Sequence, residues 1–183
     1  MNRYQRTDDS RAAVFVLLSA QIVVRLAWTW NEARTGPHPA GNVSVLGALE
    51  VVLAMAGTFS FLVWLLAVQR NLKPLGSVAA QTSPEWVVVG WFIPFYNLTH
   101  GYNQVRRVWI ESGGSSRAPL VAGWWWTYWA GLALAIAFMG PKGAPQHPMG
   151  LYLPTLLDCT SAGLGILVVI GIDQRQEQRH RAG

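Results

Sequence analysis

Charge is scarce in this chain. Asp, Glu, Lys and Arg make up 13% of its 183 residues, about half the share found in an ordinary soluble domain. That scarcity argues against a water-soluble globule. Cysteine is nearly missing too: Cys159 stands alone, so no intramolecular disulfide can form and the redox compartment is left open. The signatures of common chemistry do not occur, neither a nucleophile elbow nor a phosphate loop nor a zinc-protease motif. No internal repeat of the kind that builds many transporters is found. His38, His147 and Cys159 come nearest to a metal set, but they are scattered without metal-site spacing. No metal, cofactor or enzymatic activity is expected.

Apolar residues, by contrast, reach 51%. They collect into long uncharged runs of the length that a bilayer core of about 30 Å asks of a helix. Five segments stand out, at 12–30, 45–68, 86–98, 120–140 and 151–172. The first follows a basic start (Arg3, Arg6, Arg11), as a signal peptide would. No small-x-small cleavage site follows it, and the apolar run resumes after Gln21, so it reads as a retained span. The net charge of +5 would raise nucleic acid as a partner in a soluble protein. Here the basic residues flank apolar segments, as determinants of topology do, and nucleic acid is not expected.

The third segment decides the architecture. A helix over 86–98 would be only about 20 Å long, too short to cross, and Pro94 would remove a hydrogen bond inside it. Counting Lys and Arg supplies an independent test. If all five segments cross, the basic residues scatter over both sides. If the third turns back, eleven fall on one side: Arg3, Arg6, Arg11, Arg70, Lys73, Arg106, Arg107, Arg117, Arg175, Arg179 and Arg181. Arg34 and Lys142 fall on the other, and Arg25 lies inside a span. The positive-inside rule then favours four spans with both termini in the cytoplasm of a plasma-membrane protein. The expected fold is a single all-α membrane bundle, with a Pro-broken, re-entrant or interfacial segment over 86–111. Within it, residues 97–111 carry Leu98, Tyr102, Val105 and Trp109 at helical spacing, which predicts an amphipathic helix in the interface. Pro154 is expected in the first turn of the last span.

A stretch within 61–111 resembles a known family. Trp64, Arg70-Asn71-Leu72, Leu75-Gly76, Ser83-Pro84-x-Trp86, Gly90-Trp91-Phe92-x-Pro94 and Asn97-Leu98, followed by Tyr102, Gln104 and Trp109, are similar to a bacterial membrane-protein family known only as domain of unknown function 4328 (DUF4328). The sequence departs from that pattern at Gly101-Tyr102, where the family has Pro-Tyr. The resemblance implies a polytopic membrane protein and brings no activity, substrate or catalytic residue.

Several residues are candidates for function. Arg25, Glu50 and Asp158 lie in three different spans, each roughly 8–10 Å in from the same external end at 1.5 Å per residue. Opposite charges at one depth predict an ionic cluster, since unpaired charges there are costly; Gln21, one turn from Arg25, is placed to join it. Two readings stand: a pathway opening outward, or a charge clamp that fixes helix order. Trp86, Trp91, Trp109, Trp124, Trp125, Trp126 and Trp129 fit an interfacial aromatic belt, with an apolar ligand cavity as the other reading. Pro94 marks a helix break that could line a solute path or form an interfacial elbow. Arg106 and Arg107 are candidates for anionic lipid headgroups at the cytoplasmic face. Small residues at helical spacing, such as Gly131 with Ala135 and Ser161 with Gly165, allow close packing within one bundle or against a partner protein or second copy. The two function classes are therefore a non-catalytic scaffold or partner-binding subunit, and a small transporter, channel or lipid-binding protein.

Overall fold

A computed structural model describes residues 4–36, 44–77, 84–93, 95–139 and 147–182. Among the described residues six helices follow one another: α1 (Asp8–Thr35), α2 (Val45–Asn71), α3 (Pro84–Val89), α4 (Asn97–Glu111), α5 (Pro119–Ala137) and α6 (Pro148–Ala182). Four of them, α1, α2, α5 and α6, are long and apolar enough to cross a membrane. The fold is an all-α membrane bundle of four such helices with a short broken segment between the second and the third.

Local chemistry sets the helix ends. Asp8 and Asp9 fill the first turn of α1 and Arg34 its last, each complementing the helix dipole. The Ser44 side chain accepts the Gly47 N–H at 3.0 Å and caps α2. Pro119 opens α5 just inside its start, where its missing N–H costs nothing. Before it, Ala118 is held at φ 42, a left-handed conformation that is strained for a residue with a Cβ.

The long helices pack in a row, α2 against α1, α1 against α6 and α6 against α5. The outer members, α2 and α5, meet where Phe61 faces Trp124, with ring centroids 5.3 Å apart. The row closes at the end that carries both termini. There Trp64, Leu65, Val68, Val105, Val108, Val168 and Ile172 form a buried core, roofed by α3 and α4. Elsewhere many apolar side chains point outward. Phe15, Val23, Val52, Phe59, Ile136 and Leu156 are all exposed, which suits a surface solvated by lipid tails.

The interfacial helix has the bounds that its periodicity predicts, 97–111. Residues 86–98 do not form one helix. After Val89 the chain turns through Gly90, Trp91 and Phe92 before α4 begins; Pro94 itself lies outside the described residues. Two expectations need correction. First, α1 and α6 outrun their apolar stretches, because the polar sequence at each end keeps the helix going, on α6 as far as Ala182. Second, Pro148, not Pro154, opens the last span. Pro154 lies in the helix interior, where it leaves one carbonyl of the preceding turn without its N–H partner.

Candidate functional site: two levels of buried charge

Arg25 on α1, Glu50 on α2 and Asp158 on α6 meet in one cluster near the end of the bundle away from the termini. Arg25 Nη1 lies 2.5 Å from Glu50 Oε1 and Nη2 lies 2.8 Å from Asp158 Oδ2. Arg25 and Glu50 are mostly buried, and Asp158 is 30% exposed. The guanidinium also lies 5.0 Å from the Trp28 ring centroid, a cation–π contact. A close approach of α5 to α6 completes the setting: a Cβ on Gly131 would stand 2.7 Å from Asp158 Oδ1. Only glycine leaves room for the carboxylate there. Gln21 sits apart, near Gly57, and makes no hydrogen bond to Arg25 among the described residues. Next to this level, Thr29 and Thr155 join their hydroxyls at 2.9 Å and tie α1 to α6 again.

A second level lies at the other end, and reading the sequence alone misses it. Asp173 on α6 is only 4% exposed. Its Oδ1 accepts from Thr7 Oγ1 and from Trp64 Nε1, both at 3.1 Å, while Arg11 Nε stands 3.7 Å from Oδ2. Residues of α1, α2 and α6 again converge. Around them, Gln176 Nε2 donates to Val68 O and Ser112 Oγ, and Gln104 donates to Gln69. Arg179 donates to the carbonyls of Glu111 and Leu75, placing a cation where the α4 helix ends in unpaired carbonyls. The one hint is positional: Asp173 follows the last apolar stretch directly, and Arg11 precedes the first, as the polar flank of any span would.

The two levels are about 21 Å apart, since Arg11 to Arg25 and Trp64 to Glu50 each span fourteen residues at 1.5 Å. No Asp, Glu, Lys, Arg or His of α1, α2, α5 or α6 lies between the levels.

The candidate belt tryptophans do not share one setting. Trp86 and Trp126 are exposed, as a belt requires. Trp91, Trp124, Trp125 and Trp129 form an internal stack: Trp91 meets Trp125 at 5.8 Å between centroids, and Trp125 meets Trp124 and Trp129 at 5.5 and 5.9 Å. Trp125 Nε1 donates to Leu98 O at 3.0 Å and docks α5 under the start of α4. Trp109 is buried, with the Arg175 guanidinium 4.1 Å from its ring centroid. Arg106 donates to Ser116 O at 2.8 Å, while Arg107 is exposed on α4. His100 is tucked against Gly90, and burial pushes its pKa below the ordinary value. Among the described residues no trio of His, Cys, Asp or Glu is placed to hold a metal ion. His147 accepts the Met149 N–H at 3.2 Å, Cys159 is half-buried, and His38 lies outside the described residues.

Comparison with known proteins places this geometry in a family. The sequence profile of the family described as domain of unknown function (DUF4328) matches residues 40–174, so the chain belongs to that family. No curated protein and no solved structure matches it.

Proposed function

We propose that this chain is a non-catalytic scaffold of the plasma membrane, a four-span bundle that presents its terminus-bearing face to the cytoplasm and docks partner proteins or lipid there. The observation that carries this reading is the pairing of Arg25 with both Glu50 and Asp158 across three helices. Each level of charge runs across the bundle, and the 21 Å or so between the levels holds no titratable relay. Such levels resist sliding of one helix along another. They hold register at both ends of a bundle whose middle carries no charge. The excess of Arg and Lys around residues 70–117 and 175–181 supports a cytoplasmic placement of that face. Arg106 and Arg107 are the residues that would meet anionic headgroups.

One observation favours a second reading, a proton or cation pathway. Two carboxylates face a single guanidinium in the outer cluster, which leaves one acid in surplus. Both readings are separated by measuring stability and flux on the same variants. The scaffold reading expects Arg25→Ala to lower the melting temperature in detergent far more than Arg34→Ala, because truncation leaves buried acids unpaired, at a cost of about 3–5 kcal/mol. It also expects vesicles carrying the wild-type protein to conduct protons and alkali cations no faster than empty ones. Equal melting temperatures, or a flux that Arg25→Ala abolishes without loss of stability, would overturn it.

A further inference from the structure

The face that carries the termini holds a cavity of about 260 Å³ between the segment before α1 and the end of α6. Its walls include Tyr4, Arg6, Arg11, Asp173, Glu177 and His180. This cavity is separate from the Arg25 cluster and plays no part in the clamp at that end.

The residues around it are partnered unevenly. Asp8 pairs with Arg11 at 2.9 Å, and Glu177 pairs with Arg181 at 2.5 Å. Both pairs are exposed enough to open at a cost of about 1 kcal/mol or less. Asp173 differs. Its Oδ1 is saturated by Thr7 and Trp64, but Oδ2 is buried and accepts no hydrogen bond. The nearest donor, Arg11 Nε at 3.7 Å, is beyond hydrogen-bonding range because its guanidinium is drawn toward Asp8. A buried carboxylate oxygen without a donor is costly, and it is one of the cavity-lining residues that carries it. Oδ2 is almost fully covered, with the Arg11 guanidinium beside it, so a ligand reaches it only by taking the place of Arg11 Nε, and the group that fits there is rich in N–H and positively charged. Local potential agrees. Burial, and then the charges of Asp173, Glu177 and Asp8, push the Tyr4 hydroxyl above its usual pKa against the opposing pull of Arg6.

The rest of the wall wants an anion. Arg6 is exposed and has no ion-pair partner among the described residues. The Tyr4 and His180 rings, stacked with centroids 4.3 Å apart, line the same cavity and give it a flat apolar surface. Acceptor and cation thus occur together around a space of about 260 Å³, room enough for a group of several heavy atoms. The choice is narrowed further by place, since α1 and α6 are entering the apolar zone at this level.

We propose that this cavity binds a phosphoethanolamine group, its primary ammonium donating to Asp173 Oδ2 and its phosphate held by Arg6. The group has two sources of the same chemistry, a phospholipid headgroup or a free phosphoethanolamine. Phosphocholine, which has no N–H to give, is excluded by the same geometry.

The test uses the full chain purified in detergent and in nanodiscs. In the first arm, melting temperature is followed against free O-phosphoethanolamine, phosphocholine and inorganic phosphate. In the second arm, phosphatidylethanolamine is added to phosphatidylcholine nanodiscs. The expected result is stabilisation by the ethanolamine compound over both comparisons in at least one arm; the arm that responds identifies the source. Asp173→Asn keeps an oxygen for Thr7 and Trp64 but replaces Oδ2 with a donor, and it should weaken half-saturation by roughly tenfold or more, the worth of a charged hydrogen bond. Arg6→Ala, on an exposed side chain that should not affect folding, should weaken the response to the phosphate-bearing ligand while leaving unliganded stability unchanged. If the choline and ethanolamine compounds act alike, if neither arm responds, or if Arg6→Ala binds as the wild type does, the assignment fails.

Discussion

Gly131 and Gly163 show how a single methyl group can report on this bundle. Both are glycines inside membrane helices, where replacement by alanine ordinarily gains up to about 1 kcal/mol of helix propensity. Gly163 faces open space, so Gly163→Ala should leave stability unchanged or raise it slightly. At Gly131 a Cβ would press on Asp158 Oδ1 at 2.7 Å and on Leu157 Cβ at 3.3 Å. Gly131→Ala should therefore destabilise by about 1–3 kcal/mol, through overpacking and displacement of a carboxylate from Arg25. Thermal unfolding of the two variants in detergent reads the difference, and a Gly131→Ala variant as stable as Gly163→Ala would mean that Asp158 has slack.

At this scale the sequence was legible where charge stood out against an apolar background. Arg25, Glu50 and Asp158 interrupt long uncharged runs, and helix rise alone brings them to one depth. Asp173, Thr7 and Trp64 gave no such contrast. A carboxylate one residue beyond an apolar stretch reads as the polar flank of a span, and only the packing of α1 and α2 around it reveals its burial. The tryptophans misled for a related reason. Position along the chain places Trp91, Trp124 and Trp125 at an interface, but it does not say whether an indole faces lipid or another ring.

Among the elements, α4 was the easiest to read and its docking the hardest. Its alternating apolar and polar faces appear directly in the sequence. What it rests on depends on how the chain turns between α3 and α4, where Phe95 stands at φ 62 and 86% exposed; Pro94 announces a break there, but no local pattern gives its direction. Gly101 is the point of closest approach: a Cβ there would lie 2.5 Å from Trp125 Cη2 and 3.1 Å from Asn97 Oδ1. Gly101→Val should lift α4 off the head of α5 and break the Trp125–Leu98 hydrogen bond. Hydrogen–deuterium exchange should then rise across 97–111 while α1 and α6 keep their protection; a uniform rise over the whole chain would show that α4 is not a separable unit. The extents of α1 and α6 were underestimated because hydropathy ends where the lipid ends, whereas the helix ends where its backbone finds other partners. On α6 the turns beyond the apolar stretch carry Gln176 and Arg179, whose side chains donate to carbonyls at the ends of α2 and α4.

The molecule as a whole is a row of four long helices, roofed at one end by a short pair and pinned across three helices by charge at both ends. The clamp, the roof and the cavity all depend on one topological fact: α3, α4 and the other described residues between α2 and α5 stay on the side that carries the termini. Five crossings would put the start of α5 at the opposite face and dismantle the inner polar level. Single cysteines at Ser115, Arg34 and Arg181, each in a Cys159→Ser background, can be probed with a membrane-impermeant thiol reagent on oriented membranes. Ser115→Cys and Arg181→Cys should react from one face and Arg34→Cys from the other. Reaction of Ser115→Cys from the same face as Arg34→Cys would contradict this topology.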